Sequence, residues 1–301
     1  MRRALDNGEL RLAYQPVSAL DDGRIAGVEA LLRWRSHALG EIAPSQFIAH
    51  AENSGEIVRI GAWVIAQACK DWRAWQAAGI APAHVAVNVS FRQFQSGTLL
   101  ETVRAALREH ALPPQTLELE LTERALIEDA SDAMETFAAL KRLGVRLLID
   151  DFGEGYSSLN YLRRFPLDGL KISHAFLQGV PDDPSDSAIC AAIVRLAESL
   201  GLGVTAEGVE TPAQREFLAG LHASRVQGYL YAARWVAKNC AIFWARSRRG
   251  IKASRLHAKK KRPKPPSGPG APWPQRAFAH ATKARIIVVS SRSARTCLEI
   301  S

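Results

Sequence analysis

The sequence has little of what several common classes of protein require. No stretch approaches the roughly 18 consecutive apolar residues of a membrane-spanning helix, and the first residues lack the apolar core of a signal peptide. The four cysteines are scattered, without metal spacing or obvious pairing. The eight histidines form no pair at metal-binding spacing, and no Ser–His–Asp nucleophile motif stands out. These absences argue against a membrane protein, a zinc enzyme and acyl-enzyme chemistry, and we expect a protein of the reducing cytoplasm.

Acidic residues are nearly absent from one end of the chain. Residues 236–301 hold 16 Lys or Arg and one acid, Glu299, whereas residues 1–235 hold 23 basic and 29 acidic residues. The positive net charge of the chain therefore comes from a basic tail over residues 235–301, whose Pro- and Gly-rich composition predicts disorder. The tail is either an incidental product of a shifted reading frame near Arg234, which we favour, or a basic arm for nucleic acid or anionic membrane.

Short apolar or alternating runs typical of buried strands recur along the acidic part of the chain. They lie near residues 10–15, 24–33, 84–90, 116–122, 145–150, 168–172, 203–206 and 224–230. Helical patterns between them cover residues 56–78, 93–109, 131–143, 186–200 and 212–221. This alternation predicts an α/β fold, a (β/α)8 barrel of TIM type. A doubly wound sheet is the alternative, but it would expect a Gly-rich loop after the first strand, where Gln15-Pro16-Val17-Ser18 has none.

Several of these runs end in acidic or amide side chains. In LELELTE, strand alternation places Glu118, Glu120 and Thr122 on one face. The neighbours Asp150 and Asp151 can reach one site only at a strand end where the chain turns. Carboxylates that lie close together repel one another unless a cation binds them. The usual cation is a hard divalent ion with oxygen ligands. The sequence therefore predicts a cation site at the carboxyl end of the barrel.

The motifs that carry these residues resemble those of EAL-domain cyclic di-GMP phosphodiesterases. The resemblance covers about residues 1–231, within an expected domain of residues 1–234, and rests on LAYQP, GVEALLRW, NVS, ELTE, DDFGEGYSSL, LKI, AEGVE and QGYLY in family order. It implies a TIM-like barrel whose first strand runs antiparallel to the others. It also implies hydrolysis of cyclic di-GMP to linear pGpG with two Mg²⁺ or Mn²⁺ ions, and hence a role in bacterial signalling that regulates biofilms or motility.

The resemblance also implies roles for individual residues. Lys171 would hydrogen-bond the attacking water, and Glu207 would bind metal and accept a proton. The implied metal ligands are Glu29, Asn88, Glu120, Asp150, Asp151 and Glu207. The implied substrate contacts are Gln15, Leu31, Arg33 and Gln227. The implied active-site loop residues are Glu123, Phe152, Gly153, Gly155, Ser157 and Ser158, and this loop region is where a homodimer would form.

Three features depart from the family pattern. Glu154 stands where a small or hydroxyl residue is usual. Ser173 stands where Asp is usual, so we expect Lys171 to be oriented less firmly. We therefore expect Ser173→Asp to raise activity or leave it unchanged. After Tyr231 the final helix is altered, with a substitute helix expected over residues 235–246. These departures favour, as an alternative, a cyclic di-GMP receptor without turnover, and the tail alone would favour a nonspecific nucleic-acid binder. We expect a stand-alone EAL protein or a piece of a larger one.

Overall fold

The computed structural model describes residues 3–123, 130–154, 159–231 and 235–236. Its strands are β1 (Leu10–Ala19), β2 (Ile25–Ser36), β3 (Gly40–Ile42), β4 (His84–Val89), β5 (Leu117–Thr122), β6 (Arg146–Phe152), β7 (Gly169–Ile172), β8 (Gly203–Glu207), β9 (Arg225–Gln227) and β10 (Trp235–Val236). Its helices are α1 (Pro44–Ser54), α2 (Glu56–Ala77), α3 (Phe91–Gln95), α4 (Leu99–Glu109), α5 (Ala130–Leu143), α6 (Leu159–Arg164), α7 (Pro184–Ser199) and α8 (Pro212–Gly220). In this part of the chain no helix is both long and apolar enough to cross a membrane.

Eight strands close into a barrel. They follow one another around it as β1, β2, β4, β5, β6, β7, β8 and β9, and β9 pairs back onto β1. The strand β1 is antiparallel to β2 and β9, whereas β2 and β4 to β9 run parallel to one another. The predicted TIM-like barrel with an antiparallel first strand is therefore confirmed.

The alternation of side chains on the strands separates the helix-packed core from the barrel interior. On β5, Leu117, Leu119 and Leu121 are fully buried in the apolar core. On its other face, Glu118 and Glu120 make their ion pairs inside the barrel. Helix α2 contributes a buried face to the same core that includes Trp72 and Trp75. Because alternate residues of a strand face opposite ways, the same strands build both the core and the polar interior.

Two predicted helices differ from the structure. The continuous helix expected over residues 93–109 is divided into α3 and α4, because Gly97 adopts the left-handed region with a φ of 70° and ends the helical path. In place of the substitute helix expected from Trp235, residues 235–236 form β10, which pairs antiparallel with β1 at Tyr14 and Ala13. The remainder of that expected helix, residues 237–246, lies outside the described residues.

The amino end of the barrel interior holds a charged group of four residues that we term the basal cluster: His84, Glu118, Arg146 and Arg225. Nη1 of Arg225 lies 3.1 Å from Oε2 of Glu118 and 3.0 Å from Nε2 of His84. Nε of Arg146 lies 3.2 Å from the same Glu118 carboxylate. Glu118, which the sequence analysis left without a role, thus pairs with two arginines at the end of the barrel opposite the predicted site.

The basal cluster predicts a specific pH dependence of stability. Burial lowers the pKa of His84 to about 4. The Glu118 carboxylate opposes this shift, and the two arginines add to it. Since an unfolded histidine titrates near pH 6.5, the unfolded state binds the additional proton between about pH 6.5 and 4. The free energy of unfolding should therefore fall as the pH is lowered through this window, with His84 contributing about 2–3 kcal/mol of the loss. Urea unfolding at pH 7.5 and 4.5 should show a correspondingly smaller loss in His84→Gln. An equal loss in both proteins would contradict the buried, neutral state of His84.

Candidate active site

Four carboxylates from four strands surround one lysine at the carboxyl end of the barrel. Nζ of Lys171 lies 2.5 Å from Glu207, 2.8 Å from Glu120, 3.2 Å from Asp150 and 3.8 Å from Glu29. Lys171 is 1% exposed, so it is a central buried cation and not a residue of the solvated rim. We call this group of Glu29, Glu120, Asp150 and Glu207 around Lys171 the acid ring.

Glu29 is held by two amides as well as by the lysine. Nδ2 of Asn88 donates to Oε1 of Glu29, and Nε2 of Gln227 donates to Oε2, both at 2.6 Å. Asn88 is exposed at the end of β4, while the apolar residues beside it are buried. Gln15 is buried and lies directly opposite Glu29 in the β1–β2 pairing. The amides of Asn88 on β4 and Gln227 on β9 therefore hold the same carboxylate from two sides.

A bulge near the end of β6 brings two adjacent aspartates to the site. Ile149 pairs with Leu170, and the next pair joins Phe152 to Ile172, so β6 holds one more residue than β7 over this interval. Asp151 has a φ of 50°, the left-handed region that Asp tolerates better than most residues. Ligand atoms of Asp150, Asp151 and Glu207 all lie within 4.8 Å of one another. The turn expected from two adjacent aspartates is thus a bulge at the strand end.

The electrostatics of the acid ring favour cations. Burial raises the pKa of Glu120 well above its usual range. The neighbouring carboxylates raise this pKa further, and Lys171 opposes the shift. Burial likewise raises the pKa of Glu207 to about 7. Burial disfavours the charge on Lys171, but the carboxylates outweigh burial and hold its pKa well above its usual value. One ammonium cannot balance the four carboxylates around it, and carboxylate and amide oxygens are the ligands that hard divalent cations prefer. The residues present therefore fit a divalent cation site.

The chain after β6 is tied to both neighbouring strands. The Gly153 N–H donates to Oε2 of buried Glu123, 3.4 Å away, at the end of β5. On the other side, the hydroxyl of Ser173, which follows β7, donates to the carboxylate of Glu154. The two residues that depart from the family pattern thus contact each other. Phe152 packs into the core of the barrel wall, and the predicted loop residues Gly155, Ser157 and Ser158 lie outside the described residues.

The contact between Ser173 and Glu154 changes two expectations from the sequence. Lys171 does not depend on a carboxylate at position 173, because Glu120 and Glu207 hold it within 2.8 Å. An aspartate at position 173 would face Glu154, and two like charges this close repel. We therefore expect Ser173→Asp to reduce activity rather than to raise it.

A cavity of about 700 Å³ lies at the same end of the barrel. Ser90 and Thr122 line it, two residues beyond Asn88 and Glu120, so strand alternation could have found these two. Glu52 and Asn53 of α1 line it as well, but no pattern in the sequence connects that helix with the site. Leu31 and Arg33, predicted to contact substrate, follow Glu29 at steps of two residues on β2 and are partly exposed. None of the acid-ring residues lines this cavity, so it does not by itself define the space above the acid ring.

Comparisons with known proteins agree with this architecture. A family model described as EAL domain matches residues 1–234. The bifunctional diguanylate cyclase/cyclic di-GMP phosphodiesterase MucR of Pseudomonas aeruginosa is 45% identical over 230 residues, which cover 76% of this chain and 34% of MucR. The cyclic di-GMP phosphodiesterase NbdA of the same organism is 44% identical over 232 residues, which cover 77% of this chain and 30% of NbdA. The chain thus spans about a third of the length of these curated relatives.

A comparison with solved structures also finds a protein of similar fold. The PaMucR phosphodiesterase in complex with c-di-GMP superposes with a TM-score of 0.76 at 44% sequence identity. The match covers 79% of this chain and 96% of that one.

Proposed function

The chain belongs to the EAL-domain family, and from that premise we propose that it is a phosphodiesterase that hydrolyses cyclic di-GMP to linear pGpG. The observation that carries this proposal is the acid ring, in which Lys171 lies within 4 Å of carboxylates from four different strands. The names of the two curated relatives and the c-di-GMP complex of PaMucR support the choice of substrate.

In this proposal the site holds two divalent cations, Mg²⁺ or Mn²⁺. The residues that would hold them are Glu29, Asn88, Glu120, Asp150, Asp151 and Glu207. Such ions, when bound, make a water molecule a nucleophile near neutral pH and offset the charge that develops on the phosphate.

The chain's own residues then orient the water and the substrate. Lys171, held in its charged form by the carboxylates, donates a hydrogen bond to the attacking water. Glu207, whose Oε1 lies 2.5 Å from Nζ of Lys171, contacts the same water and accepts its proton. Arg33 would bind phosphate oxygens through its guanidinium, and Leu31 would contact the substrate beside it.

The two glutamines have different roles in this proposal. Gln227 binds Glu29 through Nε2, and its Oε1 has no hydrogen-bond partner among the described residues, so this oxygen is free to accept a bond from a guanine N–H. Gln15 lies opposite Glu29 and contributes to the floor of the substrate site.

The direct test is incubation of the purified protein with cyclic di-GMP and Mg²⁺ or Mn²⁺, followed by chromatography for pGpG. We expect conversion that stops when EDTA is added. Binding of cyclic di-GMP without conversion would select the alternative of a receptor, which the unusual pair Glu154 and Ser173 favours. Conversion that persists in EDTA would contradict the role of the acid ring.

Calcium is expected to inhibit the reaction. Ca²⁺ binds oxygen ligands at longer distances and in looser geometry than Mg²⁺, which suits a displacement between two closely spaced ions poorly. Addition of Ca²⁺ to the Mg²⁺-supported reaction should lower the rate of pGpG formation by about tenfold or more. Full activity with Ca²⁺ as the sole cation would count against the two-ion mechanism.

Two partner interactions belong to the same proposal. A homodimer would form through the region of the loop after β6, and light scattering on the purified protein can detect it.

The basic tail, residues 235–301, would bind DNA or RNA only at low salt and without base preference. Removal of residues 250–301 should leave cyclic di-GMP turnover intact, and loss of turnover would assign the tail a role in the enzyme.

A further inference from the structure

The end of β6 is a strained segment that needs support from outside. Asp151 has a φ of 50° and Gly153 a φ of 98°, and the left-handed region is unfavourable for a residue other than glycine. The bulge also interrupts the pairing of β6 with β7 between Ile149 and Phe152. The position of the Asp151 carboxylate therefore depends on how firmly the chain is fixed on both sides of the bulge.

On the far side of the bulge, one side-chain contact links β6 to β7. Pairing resumes at Phe152 and Ile172, and directly beyond it the Ser173 hydroxyl donates to Glu154. Ser173 is 2% exposed, and its oxygen also accepts the Ala175 N–H at 3.2 Å, which fixes the hydroxyl within the turn after β7. A hydrogen bond to a carboxylate is stronger than one between neutral groups.

Backbone N–H groups supply further supports within or near the turn. The Asp151 N–H donates to Oδ1 of Asp150 at 3.0 Å, and the Glu154 N–H donates to the Asp151 carbonyl at 3.3 Å. The contact from Gly153 to Glu123 is long, at 3.4 Å. On the near side of the bulge, Oδ1 of Asp150 lies 3.2 Å from Nζ of Lys171 on β7. Beyond Asp151, the bond from Ser173 to Glu154 is the side-chain contact that ties the turn to the segment directly after β7.

We propose that the Ser173–Glu154 hydrogen bond is a positioning device that holds the Asp151 carboxylate in place for a divalent cation. This inference rests on the proposed function, because it assigns Asp151 to the cation site. Ser173 and Glu154 are positioning residues, since they act on the cation through the backbone of Asp151. Outer contacts of this kind typically change metal affinity by about 10-fold when they are removed.

The test measures Mn²⁺ binding to the substrate-free protein by electron paramagnetic resonance of the free ion. Ser173→Ala should weaken Mn²⁺ binding about 10-fold, whereas Ser173→Thr, which keeps the hydroxyl, should restore most of the affinity. Glu154→Ala should weaken binding to a similar degree, and the double variant should be no weaker than either single one. In the hydrolysis assay, the Mn²⁺ concentration for half-maximal rate should rise, while kcat at saturating Mn²⁺ stays within about threefold.

Ser199→Ala is the matched control, because its hydroxyl donates to a backbone carbonyl at the exposed end of α7. It should leave Mn²⁺ affinity unchanged, and thermal melting should show that all variants are folded. Equal affinity in Ser173→Ala and the parent protein, additive losses in the double variant, or no Mn²⁺ binding by the parent would overturn the inference. Normal Mn²⁺ binding with the expected variant pattern but without pGpG formation would overturn the proposed function alone.

Discussion

Glu29→Gln is expected to abolish hydrolysis of cyclic di-GMP while leaving the metal-free protein as stable as before or more stable. The substitution removes one negative charge from the acid ring, so the proposed cations lose a charged ligand and, with it, much of the several kcal/mol of transition-state stabilisation that they would supply. The rate should fall by about 1000-fold or more. The remaining carboxylates repel one another less, which should offset the lost attraction to Lys171 and raise Tm in EDTA by about 3 °C. Rates of pGpG formation and thermal melting measure the two effects.

The neighbouring amides make this substitution structurally mild. Asn88 can still donate to the retained oxygen at position 29, and Gln227 can rotate its amide so that its unpartnered Oε1 accepts from the new N–H. The matched control is Glu118→Gln, which neutralises a buried carboxylate of the basal cluster that pairs with Arg225. That variant should lose stability and keep its activity to within a few-fold. Parental activity in Glu29→Gln would falsify the assignment of the acid ring.

Lys171→Met is expected to remove activity and also to destabilise the fold, in contrast to Glu29→Gln. The ammonium is the shared partner of four carboxylates, and its loss leaves them facing one another in a buried site. Breaking a buried ion pair by removing one partner costs about 3–5 kcal/mol. Under the proposed mechanism, the activity loss would follow from the missing hydrogen bond to the attacking water. Urea unfolding in EDTA at pH 8, together with the pGpG assay, checks both parts.

Lys141 provides a control that separates the loss of the Lys171 ammonium from the general effect of replacing a lysine with methionine. Lys141 lies outside the site, with Nζ 2.7 Å from Oδ1 of Asp168, and both side chains are partly exposed. Lys141→Met should therefore cost little stability, because partly solvated pairs contribute about 1 kcal/mol or less, and it should leave turnover unchanged. If Lys171→Met is as stable as Lys141→Met, the ammonium is not the main counter-charge of the acid ring.

Local patterns in the sequence predicted much of the barrel and of the site. The alternation in LELELT has the period of a strand, which is why the inward direction of Glu118 and Glu120 could be inferred. The two adjacent aspartates indicated a turn at a strand end, because regular strand geometry cannot direct both to one side. These inferences succeed because they depend on a few consecutive residues.

Other features depend on contacts between distant parts of the chain. The burial of Lys171 results from the closure of the whole barrel, so nothing next to it in the sequence indicates that it is a central cation. The bond between Glu154 and Ser173 exists because a bulge changes the register of β6 against β7. The division of the helix at Gly97 could have been read from the glycine, since a left-handed residue ends a helix, but the periodic pattern around it concealed the break.

The seam between β1 and β9 has a consequence for how the barrel assembles. Only Ser18 and Ala19 of β1 pair with β9, and their partners lie about 200 residues later in the chain. The hairpin of β1 and β2, by comparison, joins residues that are close in sequence over nearly the whole length of β1. Chain entropy opposes the joining of distant segments more than that of near ones. Among the eight strands of the barrel, closure of the ring is thus the pairing step with the largest entropic cost and the fewest paired residues to offset it. Glu29 of the acid ring and Gln227, which donates a hydrogen bond to it, lie on opposite sides of the seam, so this contact forms only once that step has occurred.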